Sequence, residues 1–164
     1  MARKAQVSAG LLVFRRRGKL LEILLAHPGG PYWAKKDEGA WSIPKGLVES
    51  DNLLRCAQRE FAEETGLAVD GPFAALPAVK QKSGKVVHAF AVEADLALDG
   101  FTSTTFDLEW PPKSGRRQAF PEVDRVHYFD AETALAKIIA YQRPLIVALM
   151  GRIEPRPGCP EATA

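Results

Sequence analysis

Arg59-Glu60-Phe61-Ala62-Glu63-Glu64-Thr65-Gly66-Leu67 sets three carboxylates at spacings of three and four residues, which an α-helix brings onto one face. Like charges arranged in this way repel one another. Leu54, Ala57 and Phe61 form the adjacent apolar stripe that would fasten the helix to a sheet, leaving Glu60, Glu63 and Glu64 at the edge of the contact and able to reach a common point. Such a concentration of negative charge calls for a cation, and oxygen donors without His or Cys favour Mg²⁺, with Mn²⁺ as a substitute, over zinc. Taken bare, Glu-x-x-Glu-Glu is also the pattern of a solvated helix face, so its neighbours in sequence must decide.

Working outward, Ser50 or Asp51 offers an N-cap to a helix over about Asn52 to Thr65, and Gly66 closes it. Upstream, Val7 to Arg16 and Leu20 to Ala26 read as core strands of a hairpin turning at Arg17-Gly18-Lys19. The glycines and prolines of Pro28 to Gly39 resist regular structure, and Ala40 to Pro44 reads as a short strand leading to the helix. Downstream, Phe73 to Lys82 and Val86 to Asp95 read as strands around a Ser83-Gly84 turn. Thr102 to Trp110 reads as a strand or extended segment, Pro111 to Arg117 as a basic loop and Val123 to Phe129 as a last strand. Asp130 caps a helix from Ala131 to about Tyr141, and Pro144 starts another to about Arg152, since proline fits a first turn but not a helix interior. No internal repeat interrupts this order.

The chain has 164 residues and a mass of 17.9 kDa, of which 46% is hydrophobic, enough for one domain with a substantial core. Residues 1–154 are expected to form it, with 155–164, rich in proline, as a disordered tail. A net charge of +2 is too small for a general nucleic-acid or membrane binder, so partners must be argued from local sites. The two cysteines, Cys56 and Cys159, are too sparse and too far apart for a secreted disulfide scaffold, which makes a reducing cytoplasm the expected compartment. Met1-Ala2-Arg3-Lys4 is basic, but the apolar run after it is too short for a membrane span and has no small-residue cleavage site.

Gly46, Glu49 and the run from Arg59 to Leu67 together resemble the signature of the Nudix hydrolases, a Gly, a loop, a Glu, a helix carrying Arg-Glu-x-x-Glu-Glu and a final Gly with an aliphatic residue. Trp41-Ser42-Ile43-Pro44-Lys45-Gly46 is similar to the strand and turn that lead into this motif, and the order of elements fits from Val7 to about Leu149. The likeness is nearest to a subgroup of predicted NTP pyrophosphohydrolases, through His27-Pro28-Gly29-Gly30-Pro31 and Glu109-Trp110-Pro111-Pro112. One departure stands out. The loop from Gly46 to Arg59 is one residue shorter than the family pattern, and Asp51 stands where a Glu is expected.

The resemblance implies an α+β fold, an α/β/α sandwich with a mixed β-sheet between helices. It also implies Mg²⁺-dependent hydrolysis of a phosphoanhydride. Glu60 and Glu64 would bind metal, Glu63 would share in ligation or polarise the attacking water, and the backbone carbonyl near Lys45 and Gly46 would complete the shell. Arg59 would hold carboxylates in place by salt bridging, its spacing of four to Glu63 being favourable. Glu122, at the entrance to the last strand, is expected as a metal ligand or general base, against the alternative of a turn residue. Lys45 is the cation best placed for phosphate, while most of Lys35, Lys36, Arg116 and Arg117 would be solvated. Tyr32 and Trp33 could stack on a base or pack on their own loop. His27, His88 and His127 are isolated and strand-associated, which reads as structural. No Gly-x-Ser-x-Gly or activated cysteine pattern argues for a covalent intermediate.

The expected substrate is a small-molecule nucleotide, a nucleoside diphosphate linked to another group. Nucleoside triphosphates come first and dinucleoside polyphosphates second, with a non-catalytic nucleotide-binding module as the alternative class. RNA-end processing is disfavoured by the near-neutral charge, so no stable nucleic-acid partner and no membrane partner are expected; a monomer or homodimer fits.

Overall fold

Alternation along Val7–Arg17 (β1) sends Ala9, Leu11 and Val13 to one side of a sheet and Leu12 and Phe14 to the other, so this strand is buried on both faces. The computed structural model describes residues 6–49 and 52–153. After β1 come Leu20–Pro28 (β2), Lys45–Leu47 (β3), Leu53–Thr65 (α1), Ala74–Ala75 (β4), Val79–Lys80 (β5) and Val86–Glu93 (β6). Thr105–Glu109 (β7), Arg117–Pro121 (β8), Val123–Asp130 (β9), Ala131–Lys137 (α2) and Arg143–Ile153 (α3) complete the order.

The main sheet runs β4-β6-β1-β2-β9, with β3 also paired to β1 and β5 to β6. It is mixed, because β1 and β6 run parallel from Val7↔Val86 to Phe14↔Glu93 while the other pairs are antiparallel. On one face, Cys56, Ala57 and Phe61 of α1 pack on Ala9, Leu11, Val13, Leu24, Val92 and Tyr128. On the other, Ala134 and Ile138 from α2 and its end join Leu145, Ile146 and Leu149 of α3 over Leu12, Ile23, Leu25 and Val87. The fold is therefore the expected α/β/α sandwich. No helix among the described residues is long and apolar enough to cross a membrane.

Several sequence expectations need correction. The strand placed at Ala40 to Pro44 lies later, at Lys45–Leu47; Trp41 and Ser42 make isolated bridges to Ile138 and Ala26. Asn52, not Ser50 or Asp51, caps α1, its side chain accepting from the Arg55 N–H at 2.8 Å; Ser50 and Asp51 lie outside the described residues, as does the tail. Gly66 does end the helix, in the left-handed conformation with φ 70°. Leu53 rather than Leu54 joins the apolar stripe of α1. The strand expected over Phe73 to Lys82 survives only as β4 and β5. Pro77, between them, has no N–H to offer a ladder.

The basic segment expected as a loop ends in β8, which pairs with β7 from Thr105↔Pro121 to Glu109↔Arg117, a separate hairpin beside the main sheet. Finally, α2 stops at Lys137 instead of Tyr141. Ile138 turns extended there and is 1% exposed, so burial against Trp41 and α3 overrides helix continuation.

Phe61 is 1% exposed and anchors α1 to the sheet. Truncation by Phe61→Ala is expected to cost about 3 to 5 kcal/mol of stability, read as a lower denaturant midpoint at unchanged slope.

Candidate active site

Because β3 pairs with β1 through Gly10↔Lys45, Ala9↔Gly46 and Ser8↔Leu47, while α1 packs on β1, the chain around Lys45 and Gly46 runs alongside the acidic edge of the helix. Contact there is intimate. A Cβ on residue 46 would overlap the Glu60 carboxylate, so the bare glycine is what lets that carboxylate rest directly on β3 in this position. One residue earlier, the Lys45 backbone N–H donates to Glu64 Oε2 at 3.1 Å. The Cys56 thiol faces the carbonyls of Gly46 and Leu47 at 3.6 and 3.5 Å.

Charge in this junction is strained by burial. Glu64 is pushed up to about 8 from an ordinary 4.5, first because it is desolvated and then because Glu60 is near, against the opposing pull of the Lys45 ammonium and the Lys45 N–H. Glu60 is also raised, by desolvation above all; the Arg59 hydrogen bond opposes this and the Glu63 charge adds to it. Burial lowers Lys45, although Glu64 and Glu60 favour its charged form. Lys45 is thus a half-buried counter-charge to two glutamates.

Arg59 Nη1 donates to Glu60 Oε1 at 2.9 Å and stands 3.6 Å from Glu63 Oε2, so it bridges two of the three helix carboxylates. Glu63 is the outermost, with 46% of its side chain exposed. Glu122 lies in the short link between β8 and β9, where its N–H donates to the Thr104 carbonyl at 2.8 Å and its carbonyl accepts from the Gly29 N–H at 3.0 Å. A pocket of about 200 Å³ brings Glu122 together with Lys45 and Glu64, walled by Ala26, Pro28, Ser42, Ile43 and Val123.

Tyr32 and Trp33 do not line that pocket. Tyr32 is 58% exposed and stands edge-on to Trp110 of the hairpin, with ring centroids 5.3 Å apart, while the Lys36 ammonium lies 4.9 Å from the Trp33 ring centre. Lys35, Arg116 and Arg117 are exposed. Of the histidines, His27 is fully buried and His127 exposed.

Sequence reading missed Gln142. Its fully buried amide accepts from the Ile43 N–H at 3.1 Å and donates to Ser42 Oγ and Tyr141 Oη, both at 3.0 Å, bracing the segment that leads into Lys45. A partner 99 residues away leaves no local pattern by which to find it.

The donor set suits a hard divalent cation: carboxylate oxygens on α1, a backbone carbonyl at the glycine that Glu60 abuts, and no soft ligand except the Cys56 thiol. Among the described residues, no three Asp, Glu, His or Cys side chains already converge as a coordination shell. Glu63 instead turns to Arg59 and Glu64 to the Lys45 N–H.

A raised carboxyl pKa ties stability to pH. Folding favours protonated Glu64, so its contribution is fully present below about 4.5 and is lost as pH rises through about 8. Without divalent metal, the melting temperature should fall across that window, and Glu64→Gln should flatten the fall. A slope identical in parent and variant, measured by thermal scans at fixed ionic strength, would contradict this electrostatic picture.

Comparison with known proteins comes to the same fold. The family profile described as NUDIX domain matches residues 4–149. The NUDIX domain of NrtR from Shewanella oneidensis, solved as a cocrystal with ADP ribose, superposes with a TM-score of 0.67 at 15% identity, over 93% of this chain and 91% of its own. An Ap4A hydrolase from C. elegans gives 0.60 at 17% identity, over 88% and 96%, and the ORF135 protein of E. coli 0.55 at 23%, over 94% and 96%. At these identities the likeness is one of fold. No match was found among curated proteins.

Proposed function

The chain belongs to the NUDIX domain family, and on that premise we propose that it is an Mg²⁺-dependent pyrophosphohydrolase acting on a nucleoside diphosphate linked to another group, a nucleoside triphosphate foremost. The observation that carries this reading is the meeting of Lys45, Glu64 and Glu122 in one pocket beside the contact of Glu60 with Gly46. Hydrolysis of nucleotide-like substrates is the chemistry that family membership supports.

Glu60, Glu64 and the Gly46 carbonyl would hold the cation, with Glu63 and Glu122 at its margin. When bound, Mg²⁺ neutralises diphosphate oxygens and eases ionisation of a coordinated water. The protein's own groups do the rest. Arg59 fixes the Glu60 carboxylate and restrains Glu63, so that neither swings away as substrate charge arrives. The Lys45 ammonium stands ready for a phosphate oxygen. Glu122, exposed at the pocket, accepts the proton of the attacking water as a phosphorus–oxygen bond forms and the bridging bond breaks, its electrons leaving with the phosphate. Residues 1–154 serve as one catalytic unit.

A second reading, dinucleoside polyphosphate hydrolysis, draws support from the exposed basic turn of Lys113, Arg116 and Arg117 on the β7–β8 hairpin, which offers charge for a longer phosphate chain. A product-identification screen over nucleotides, dinucleoside polyphosphates and nucleotide sugars with Mg²⁺ separates the two.

Glu64→Gln should fold normally and lose activity by at least about a hundredfold. Near-normal turnover of the metal-saturated variant would sink the assignment. Glu122→Gln should lower kcat more than it raises KM, because a lost proton acceptor is felt in the transition state. Unchanged kcat would return Glu122 to a turn role. If the loop around Trp33 is a substrate lip, Trp33→Ala should raise KM for nucleotides about tenfold while sparing a base-free polyphosphate; reduced melting temperature with constant KM would mark Trp33 as packing instead.

A further inference from the structure

His27 is fully buried in β2, yet both ring nitrogens are engaged. Nε2 lies 2.6 Å from the Lys36 carbonyl oxygen and Nδ1 lies 2.8 Å from Asp124 Oδ1. A carbonyl has no hydrogen to give, so Nε2 must be the donor, and a proton lies between Nδ1 and the carboxylate. Trp41 packs edge-on against the ring at 5.1 Å.

The two partners matter by where they sit. Lys36 belongs to the Pro28 to Gly39 loop that carries Tyr32 and Trp33, and Asp124 is the second residue of β9, the strand that begins just after Glu122. The loop is also tied at its start, by the Gly29 N–H on the Glu122 carbonyl, and near its end, by Asp37 on Trp41 Nε1 and on the Lys137 ammonium. Between these ties, His27 is the buried side chain that reaches the loop backbone. Its tie to Lys36 sits just beyond the aromatic pair.

We propose that His27 is a positioning residue for substrate recognition: its Nε2–H bond to the Lys36 carbonyl, backed by Asp124, holds the Tyr32–Trp33 loop in a preformed position, its first residue Gly29 tied to the Glu122 backbone. This rests on the reading of that loop as a substrate lip. The physical gain is that ordering is completed in the free protein, so nucleotide binding does not have to immobilise the loop.

Two variants separate the two nitrogens. The amide of His27→Asn can reach Asp124 in place of Nδ1 but not Lys36, whereas the longer side chain of His27→Gln can place its amide N–H where Nε2 stood. Trypsin, which cuts after lysine, reads the loop directly at Lys35 and Lys36. In the full-length protein, His27→Asn should be cut there about tenfold faster than the parent, the effect expected from losing one buried hydrogen bond. It should raise KM for a nucleoside triphosphate by a similar factor with kcat within about twofold, and His27→Gln should restore much of both.

Equal cutting of parent and His27→Asn, or Asn and Gln variants that behave alike, would overturn the proposal. Should His27→Asn fail to fold, a ¹⁵N-histidine spectrum of the parent decides: a protonated Nε2 protected from exchange is expected, and a bare Nε2 would refute it. Faster cutting with unchanged KM would also overturn it, by removing the loop from recognition. Absence of nucleotide hydrolysis by the Mg²⁺-loaded parent would instead defeat the hydrolase reading alone, because the trypsin and spectroscopic results do not depend on turnover.

Discussion

Packing the acidic edge of α1 against the chain at Lys45 and Gly46 is the constraint from which the rest of the site follows. The apolar stripe of Cys56, Ala57 and Phe61 must face the sheet, and the helical repeat then carries Glu60 and Glu64 into the junction with β3 whether or not charge is welcome there. Burial makes it unwelcome, as the raised pKa values of both side chains show. The surroundings answer with an arginine across Glu60 and Glu63, a lysine ammonium near Glu60 and Glu64, and a backbone N–H on Glu64. An apolar stripe alone would have made a more stable helix contact. The carboxylates are kept at a cost in folding.

The second organising feature is the backbone of Glu122. Its N–H is taken by Thr104, just before the β7–β8 hairpin, and its carbonyl by Gly29 at the head of the aromatic loop. Both outer segments are thus pegged to one residue of the pocket, and their tips meet where Tyr32 touches Trp110. The sheet and α1 carry the partly buried carboxylates, while the aromatic loop and the β7–β8 hairpin carry aromatic and basic side chains at the surface. Gln142 and His27 are both buried and each hydrogen-bonds a loop backbone, at Ile43 and at Lys36.

How much of this could be read along the chain follows from the range of the forces involved. The strand-forming run from Val7 to Arg16, the Gly66 stop and the Arg59 to Glu64 spacing are local and were legible as a core strand and an acidic helix, whereas the sandwich is expected only from the resemblance of the whole motif to the Nudix hydrolases. Strand limits were not, since Lys45–Leu47 is a strand only because β1 offers it an edge, and Ile138 leaves its helix only because a core site needs filling. The β7–β8 pairing likewise depended on a turn whose sequence read as an open basic loop.

Within the site, the identity of the charged residues was set by the sequence itself: Glu60, Glu63, Glu64 and Arg59 share a helical face because 3.6 residues make a turn, and no folding partner is needed to know it. Which of them are buried, which cation answers which carboxylate, and that Glu122 joins Lys45 and Glu64 in one pocket were decided by tertiary structure. The same holds for His27 and Gln142, whose side-chain partners lie 97 and up to 100 residues away in the chain. Charge and periodicity are properties of neighbours along a chain, whereas desolvation and hydrogen-bond completion exist only once distant segments have excluded water between them.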